Sequence, residues 1–140
     1  MKFNFAIPML ALVLAASAHA QKDKWAVVVN CTNEDNDIVG MRLCTAVRDE
    51  IARSPRYYEA SSESYALTLH IVTASYDDEF RTTSVQAVAI TMDGPKGEYY
   101  LTNSVLITGA NRVKFSAQEI VASLDHQAEI IREAARARKP

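Results

Sequence analysis

The sequence predicts an α+β domain of order β-α-β-β-β-β-α, one mixed, mostly antiparallel sheet with two helices packed on one face. Three observations predict it. A dense β-branched run, Trp25 to Asn30, is followed closely by a stretch of helical period. Three alternating segments then succeed one another with short breaks, and the chain closes on a long amphipathic segment. A strand–helix–strand opening calls for a parallel pair with a right-handed crossover. Short connections between the second, third, fourth and fifth strands favour an antiparallel meander of all four. Two amphipathic helices that both need an apolar surface are satisfied together on one side of the sheet.

Each element has its own warrant. Trp25-Ala-Val-Val-Val-Asn30 has the composition of a buried interior strand. The polar turn Cys31-Thr-Asn-Glu-Asp-Asn-Asp37 offers Asn and Asp side chains suited to capping a helix. From Asp37 to Ala52 the period is helical, with Val39, Leu43, Val47 and Ile51 on one face and Cys44 at its edge. Arg42, Asp49 and Arg53 occupy the other face. Ser54-Pro55 stops this helix, because a residue before proline avoids the helical region. Tyr57 to Ala60 reads as a short strand, and Ser61 to Ser64 as a polar connector. Tyr65 to Tyr76 alternates, with Leu67, Leu69 and Ile71 on one face and Thr68 and His70 on the other. Thr83–Met92 and Tyr99–Thr108 are two further strands joined by the breaker-rich Asp93-Gly-Pro-Lys-Gly97. In the last helix Ser116 and Glu119 read as a capping box, and Ile120, Leu124, Ala128, Ile131 and Ala135 form a stripe. The expected core joins Leu43, Val47, Ile51, Leu67, Leu69, Ile71, Ile120, Leu124 and Ile131.

The first twenty residues carry an address. Lys2 supplies a positive start, Phe5 to Leu14 an apolar segment interrupted by Pro8, and Ala18-His19-Ala20 the small-x-small ending of a signal peptide. Cleavage is expected between Ala20 and Gln21, leaving residues 21–140 as a single exported domain, periplasmic or secreted. The apolar run is shorter than the roughly 20 residues of a membrane-spanning helix, so no span is expected. No Cys stands at the cleavage point for lipid attachment.

In such a compartment an even cysteine count favours a disulfide, and Cys31 with Cys44 is the candidate pair. Two buried, inert thiols are the alternative. Their spacing excludes a Cys-x-x-Cys redox motif.

Charge and motifs exclude more than they assign. With 15 Lys and Arg against 17 Asp and Glu, nothing calls for nucleic acid or anionic lipid as partner. The basic residues Arg132, Arg136, Arg138 and Lys139 end a helix, where cations complement its dipole. Beyond the leader only His70 and His126 remain, His126 on the polar side of the last helix. No nucleophile-elbow or Ser-x-x-Lys pattern is present. Asn33–Asp37 lacks the glycine and the terminal Glu of a calcium loop, and Asp77-Asp78-Glu79 reads as a strand-end turn. Neither a catalytic constellation nor a metal or cofactor site is therefore expected. Asn30-Cys-Thr32 matches a glycosylation sequon but ends a buried strand of a chain with a bacterial type of leader.

Tyrosines gather at strand ends: Tyr57, Tyr58, Tyr65, Tyr76, Tyr99 and Tyr100. Interfaces favour tyrosine, though strands do as well. Tyr65, Tyr76, Tyr99 and Tyr100, with His70, form the candidate interaction surface on the sheet face away from the helices. Thr68, His70, Gln86 or their strand neighbours are expected near solvent beside them.

Val27-Val-Val-Asn-Cys-Thr-Asn33, Ile51-Ala-Arg-Ser-Pro-Arg-Tyr-Tyr-Glu59 and Tyr65-Ala-Leu-Thr-Leu-His-Ile-Val72 together resemble a family of envelope domains. That family includes the periplasmic domain of the curli secretion channel, the lipoprotein activators of penicillin-binding proteins and the N-terminal domain of the Tol-system propeller protein. The likeness spans about residues 25–130 as a pattern of hydrophobicity and turns. It carries no functional residue over. The chain lacks the activators' lipidation cysteine, the channel's pore-forming insert and the propeller. The resemblance implies a non-enzymatic binding or assembly domain whose partner is another envelope protein. The alternatives are a cystatin-like secreted inhibitor, for which the strong first strand and the final helix are unsuited, and a small hydrolase, for which no triad is visible.

Overall fold

The computed structural model describes residues 24–62, 65–77 and 79–138; the leader and its cleavage point at Ala20 and Gln21 lie outside them. The element order is β1 (Trp25–Asn33), α1 (Ile38–Arg53), β2 (Tyr57–Glu59), β3 (Leu67–Ser75), β4 (Thr83–Gly94), β5 (Gly97–Gly109) and α2 (Val113–Ala137). It is the predicted β-α-β-β-β-β-α order, in an α+β fold with an open, five-stranded mixed sheet.

Strand order is β2-β1-β3-β4-β5. β1 runs parallel to both β2 and β3, while β3, β4 and β5 form the antiparallel meander. The expected meander thus loses its first member, since β2 and β3 are separated by β1. β2 is only three residues long and pairs through Trp25–Val27, whereas β3 takes seven partners on the other side of β1. A long apolar strand buries more of its surface at the sheet centre than at an edge, so β3 is central and β2 marginal.

Both helices lie on one face. Val27 and Val29, Leu67, Leu69 and Ile71, and Val88 and Ile90 alternate into a single cluster with Val39, Leu43, Val47 and Ile51 of α1 and Val113, Ala117, Ile120, Leu124 and Ala128 of α2. Every residue of the expected core is in it, Ile131 as a partly buried member. No helix among the described residues is long and apolar enough to cross a membrane.

α1 starts where the Asn/Asp turn predicts. Asp37 is buried and caps the helix by accepting the Gly40 amide at 2.9 Å; its other oxygen accepts from Ser84 Oγ at 2.6 Å. Gly40 is required there, because an added Cβ would overlap Thr73 Oγ1 and the Asp37 carboxylate. β1 continues past Asn30 to Asn33, so Cys31 is a strand residue beneath α1. Cys31 and Cys44 form a disulfide with Cα atoms 6.3 Å apart, inside the usual span.

α2 begins four residues earlier than the Ser116–Glu119 box implies, with Arg112 and not Ser116 at the cap. The turn Gly109–Arg112 closes by Arg112 N–H on Gly109 O, and Ser116 N–H already bonds Arg112 O. Arg112 occupies the cap position and offers no side-chain cap. Ser116 is buried inside the first turns, where its hydroxyl lies 2.9 Å from Thr108 Oγ1; Thr108 in turn donates to Gln86 Oε1 at 2.8 Å. A buried hydroxyl partnered across the core outweighs a cap that the chain does not need.

Candidate functional site: the open face of the sheet

Strand alternation sends every second residue away from the helices. On β3 these are Thr68, His70, Val72 and Ala74. On β4 they are Val85, Ala87, Ala89 and Thr91. On β5 they include Tyr100, Asn103, Val105 and Ile107. No element of the described chain covers the middle of this face. Val72 is 53 %, Tyr100 62 %, Val105 73 % and Ile107 67 % exposed. Val72, Val85, Val105 and Ile107 with the alanines between them thus make an apolar field, bordered by Asn30 and Thr32 of β1 and by Asn103 of β5, with Thr91 and His70 at one end.

That end is built by the β4–β5 hairpin. Its tight turn pairs Gly94 with Gly97, whose φ of 116° is a backbone state that L side chains rarely adopt. The turn sets Asp93 opposite Glu98 and Thr91 opposite Tyr100, and a register shift leaves Leu101 as the extra residue. Glu98 is therefore diagonal to Thr91 on the open face, and so is His70 from β3. His70 Nε2 donates to Glu98 Oε1 at 2.8 Å and lies 3.2 Å from Thr91 Oγ1, while the Thr91 hydroxyl donates to the same carboxylate oxygen. Thr91, then His70, hold the Glu98 carboxyl below the usual carboxylate range.

The arrangement of this cluster differs from that of a nucleophile–base–acid relay. In a nucleophile–base–acid series the imidazole engages the hydroxyl with one nitrogen and the carboxylate with the other. Here both contacts fall on Nε2, and the hydroxyl proton is already committed to Glu98. Among the described residues no group of His, Cys, Asp and Glu is arranged to hold a metal ion.

The candidate surface residues divide. His70 and Tyr100 share the open face, and Tyr65 sits just before β3 at the same end. Tyr65 is not the first strand residue expected: its φ of 66° is left-handed, which an extended strand cannot use. Tyr99 pairs with Met92 and packs its ring against Gly94, on the helix side of the hairpin. Tyr76 is exposed at the far end of β3, beyond Ser75. Tyr57 is no surface group at all. It is buried and donates to Asp125 Oδ1 of α2 at 2.6 Å, and its hydroxyl is pushed well above the usual tyrosine range by burial first and by Asp125 second.

Two polar residues expected near solvent are buried. Gln86 belongs to the even-numbered side of β4 and faces the helices beside Thr73 and Leu106. Thr68 does lie on the open side but is short, and its neighbours Val28 and Thr91 close over it. His126 is exposed on α2 as expected.

Thr91, Glu98, Val105 and Ile107 were not singled out from the sequence. The signal for Thr91 and Glu98 is the hairpin, because its two-residue turn at Pro95 and Lys96 sets the register of the first pairs and the side they take. Beyond the bulge at Leu101 the register slips by one, so the turn alone would put Val105 and Ile107 on the helix side.

Among the described residues the helix layer also holds a shallow groove of about 420 Å³ lined by Ile38, Met41, Arg42, Thr45, Ala46, Asp49 and Val113.

No protein-family model matches the chain, and no curated protein matches it. Among solved structures it is similar to the hypothetical protein CT253 from Chlamydia trachomatis, at 7% identity over 72% of this chain and 95% of that one, with a TM-score of 0.46. It is also similar to an uncharacterized protein at 15% identity, covering 80% of this chain and 92% of that one, with a TM-score of 0.41.

Proposed function

We propose that this chain is an exported, non-enzymatic binding domain that works in the cell envelope by docking another protein on the open face of its sheet. The observation that carries the reading is the exposed apolar field of Val72, Val105 and Ile107 beside the Tyr100–His70–Glu98 end. Contiguous apolar surface rimmed by polar groups is what protein interfaces use. It is shallow and lies on a rigid sheet, which suits a macromolecular partner better than a small ligand needing a deep pocket. The leader, the disulfide between Cys31 and Cys44, and the resemblance to envelope domains support the compartment. The geometry at His70, with both contacts on one nitrogen, supports binding over turnover.

The test is affinity capture from an envelope extract by the wild-type chain, by Val72→Glu and by Ile130→Glu on the exposed side of α2. The reading expects one partner, lost with Val72→Glu and kept with Ile130→Glu. Hydrolysis of an envelope substrate by the purified chain, abolished by His70→Ala in a protein that still folds, would overturn it.

A further inference from the structure

The two edges of the sheet are unlike. β2 exposes only three residues, bounded by Pro55 and by the polar Ser61 and Ser62, so it offers little to pair with. β5 is thirteen residues long and forms the opposite edge. Natural sheets guard long edges with charges, prolines or covering elements, because free N–H and C=O groups recruit another strand. β5 has no such guard after its bulge at Leu101: the chain carries neither a charge nor a proline from Tyr99 to Asn111.

The direction of its free groups follows from the ladder. Ala110 N–H bonds Thr82 O, opposite it in the antiparallel register. Alternation then turns Thr108, Leu106, Ser104 and Thr102 toward β4, and leaves the backbone of Asn103, Val105 and Ile107 pointing outward. The same three residues carry their side chains on the open face.

We propose that the outer edge of β5 pairs antiparallel with β5 of a second copy of this chain, joining two five-stranded sheets into one. Three features select a second copy over an unrelated strand. An antiparallel edge is complementary to itself about a two-fold axis. Like charges would meet at that axis, and here there are none. With the two-fold near Val105, Asn103 of each strand lies opposite Ile107 of the other. The apolar field of Val105 and Ile107 also becomes continuous across the axis. The contact is narrow, so the dimer is expected to depend on concentration. This pairing does not rest on the open-face partner, since Val72→Glu leaves the edge intact.

Sedimentation equilibrium of the full chain, produced with its disulfide, tests the proposal. The mass should rise from one chain to two with concentration. Val105→Pro removes an outward N–H and no bond to β4, as edge strands tolerate, and should sediment as one chain throughout. Should that variant fail to fold, Val105→Lys sets like charges at the axis and should have the same effect. Amide exchange reads the site directly: the N–H groups of Asn103, Val105 and Ile107 should be protected at high concentration and lose that protection on dilution. A parent that stays a single chain at its highest soluble concentration overturns the proposal. So does a dimer that survives both substitutions, or one in which those three amides exchange as freely as in the monomer.

Discussion

The two faces of this sheet are built from the same kinds of residue and have opposite fates. Val29, Ile71 and Val88 are buried under the helices, while Val72, Val105 and Ile107, one position along their strands or on the neighbouring one, stand in solvent. Composition does not separate them; helix coverage does. α1 and α2 present one continuous stripe each, enough to seal one face and no more. A β-branched residue is therefore structural on one side and available for contact on the other. The tyrosines repeat the lesson, with Tyr57 locked to Asp125 beneath α2 and Tyr100 open on the far side.

Substitutions on the two sides should break apart by size. Leu124→Ala, at a fully buried position of α2, is expected to cost about 2–5 kcal/mol in denaturant unfolding. Val72→Thr on the open face should stay within about 0.5 kcal/mol. Equal losses at the two sites would mean that the open face is covered in the native protein. Next in size is the Cys31–Cys44 bridge that pins β1 to α1: replacing both by Ala should lower stability by about 3 kcal/mol, the chain-entropy value for a loop of this length. Thiol titration of the denatured, unreduced chain should find no free thiol; two per molecule would remove the bridge from the account.

Ionisation sharpens the comparison further. The folded chain holds the Tyr57 proton more tightly than the unfolded chain does. The linked stability is present below the unfolded tyrosine value of about 10 and is lost as pH rises above it. Tyr57→Phe should cost about 1 kcal/mol at neutral pH and flatten that alkaline decline. Glu98 has the opposite sign. Its folded carboxyl is held below the ordinary range, so its contribution is present above about pH 4.3 and disappears as pH falls through the folded value. Because the pair with His70 is exposed and screened, Glu98→Gln should produce the smallest change, a slight shift of the acid limb in thermal unfolding. An acid limb identical in the two proteins would show that the cluster does not feel the fold.

Local patterns were legible wherever a period or a short-range bond decided the outcome. The helical stripe from Val39 to Ile51, the Asp37 cap, the alternation of Leu67, Leu69 and Ile71 and the pairing of Cys31 with Cys44 could all be read along the chain. The site was less legible, because His70 acquires Thr91 and Glu98 only through the β3–β4–β5 register, and those residues are 21 and 28 positions away. The exposed Val105 and Ile107 carry no mark that separates them in sequence from core residues.

By itself the sequence determined the order and type of the elements, since side-chain period and turn chemistry are properties of a few consecutive residues. Only the tertiary structure decided that β1 lies between β2 and β3, that Ser116 serves Thr108 instead of capping α2, and that Gln86 is buried while Val105 is not. Each of these is a competition between distant segments for the same burial or the same hydrogen bond. Such contests are settled by which contacts can form together in space, and a pattern read a few residues at a time contains no term for them.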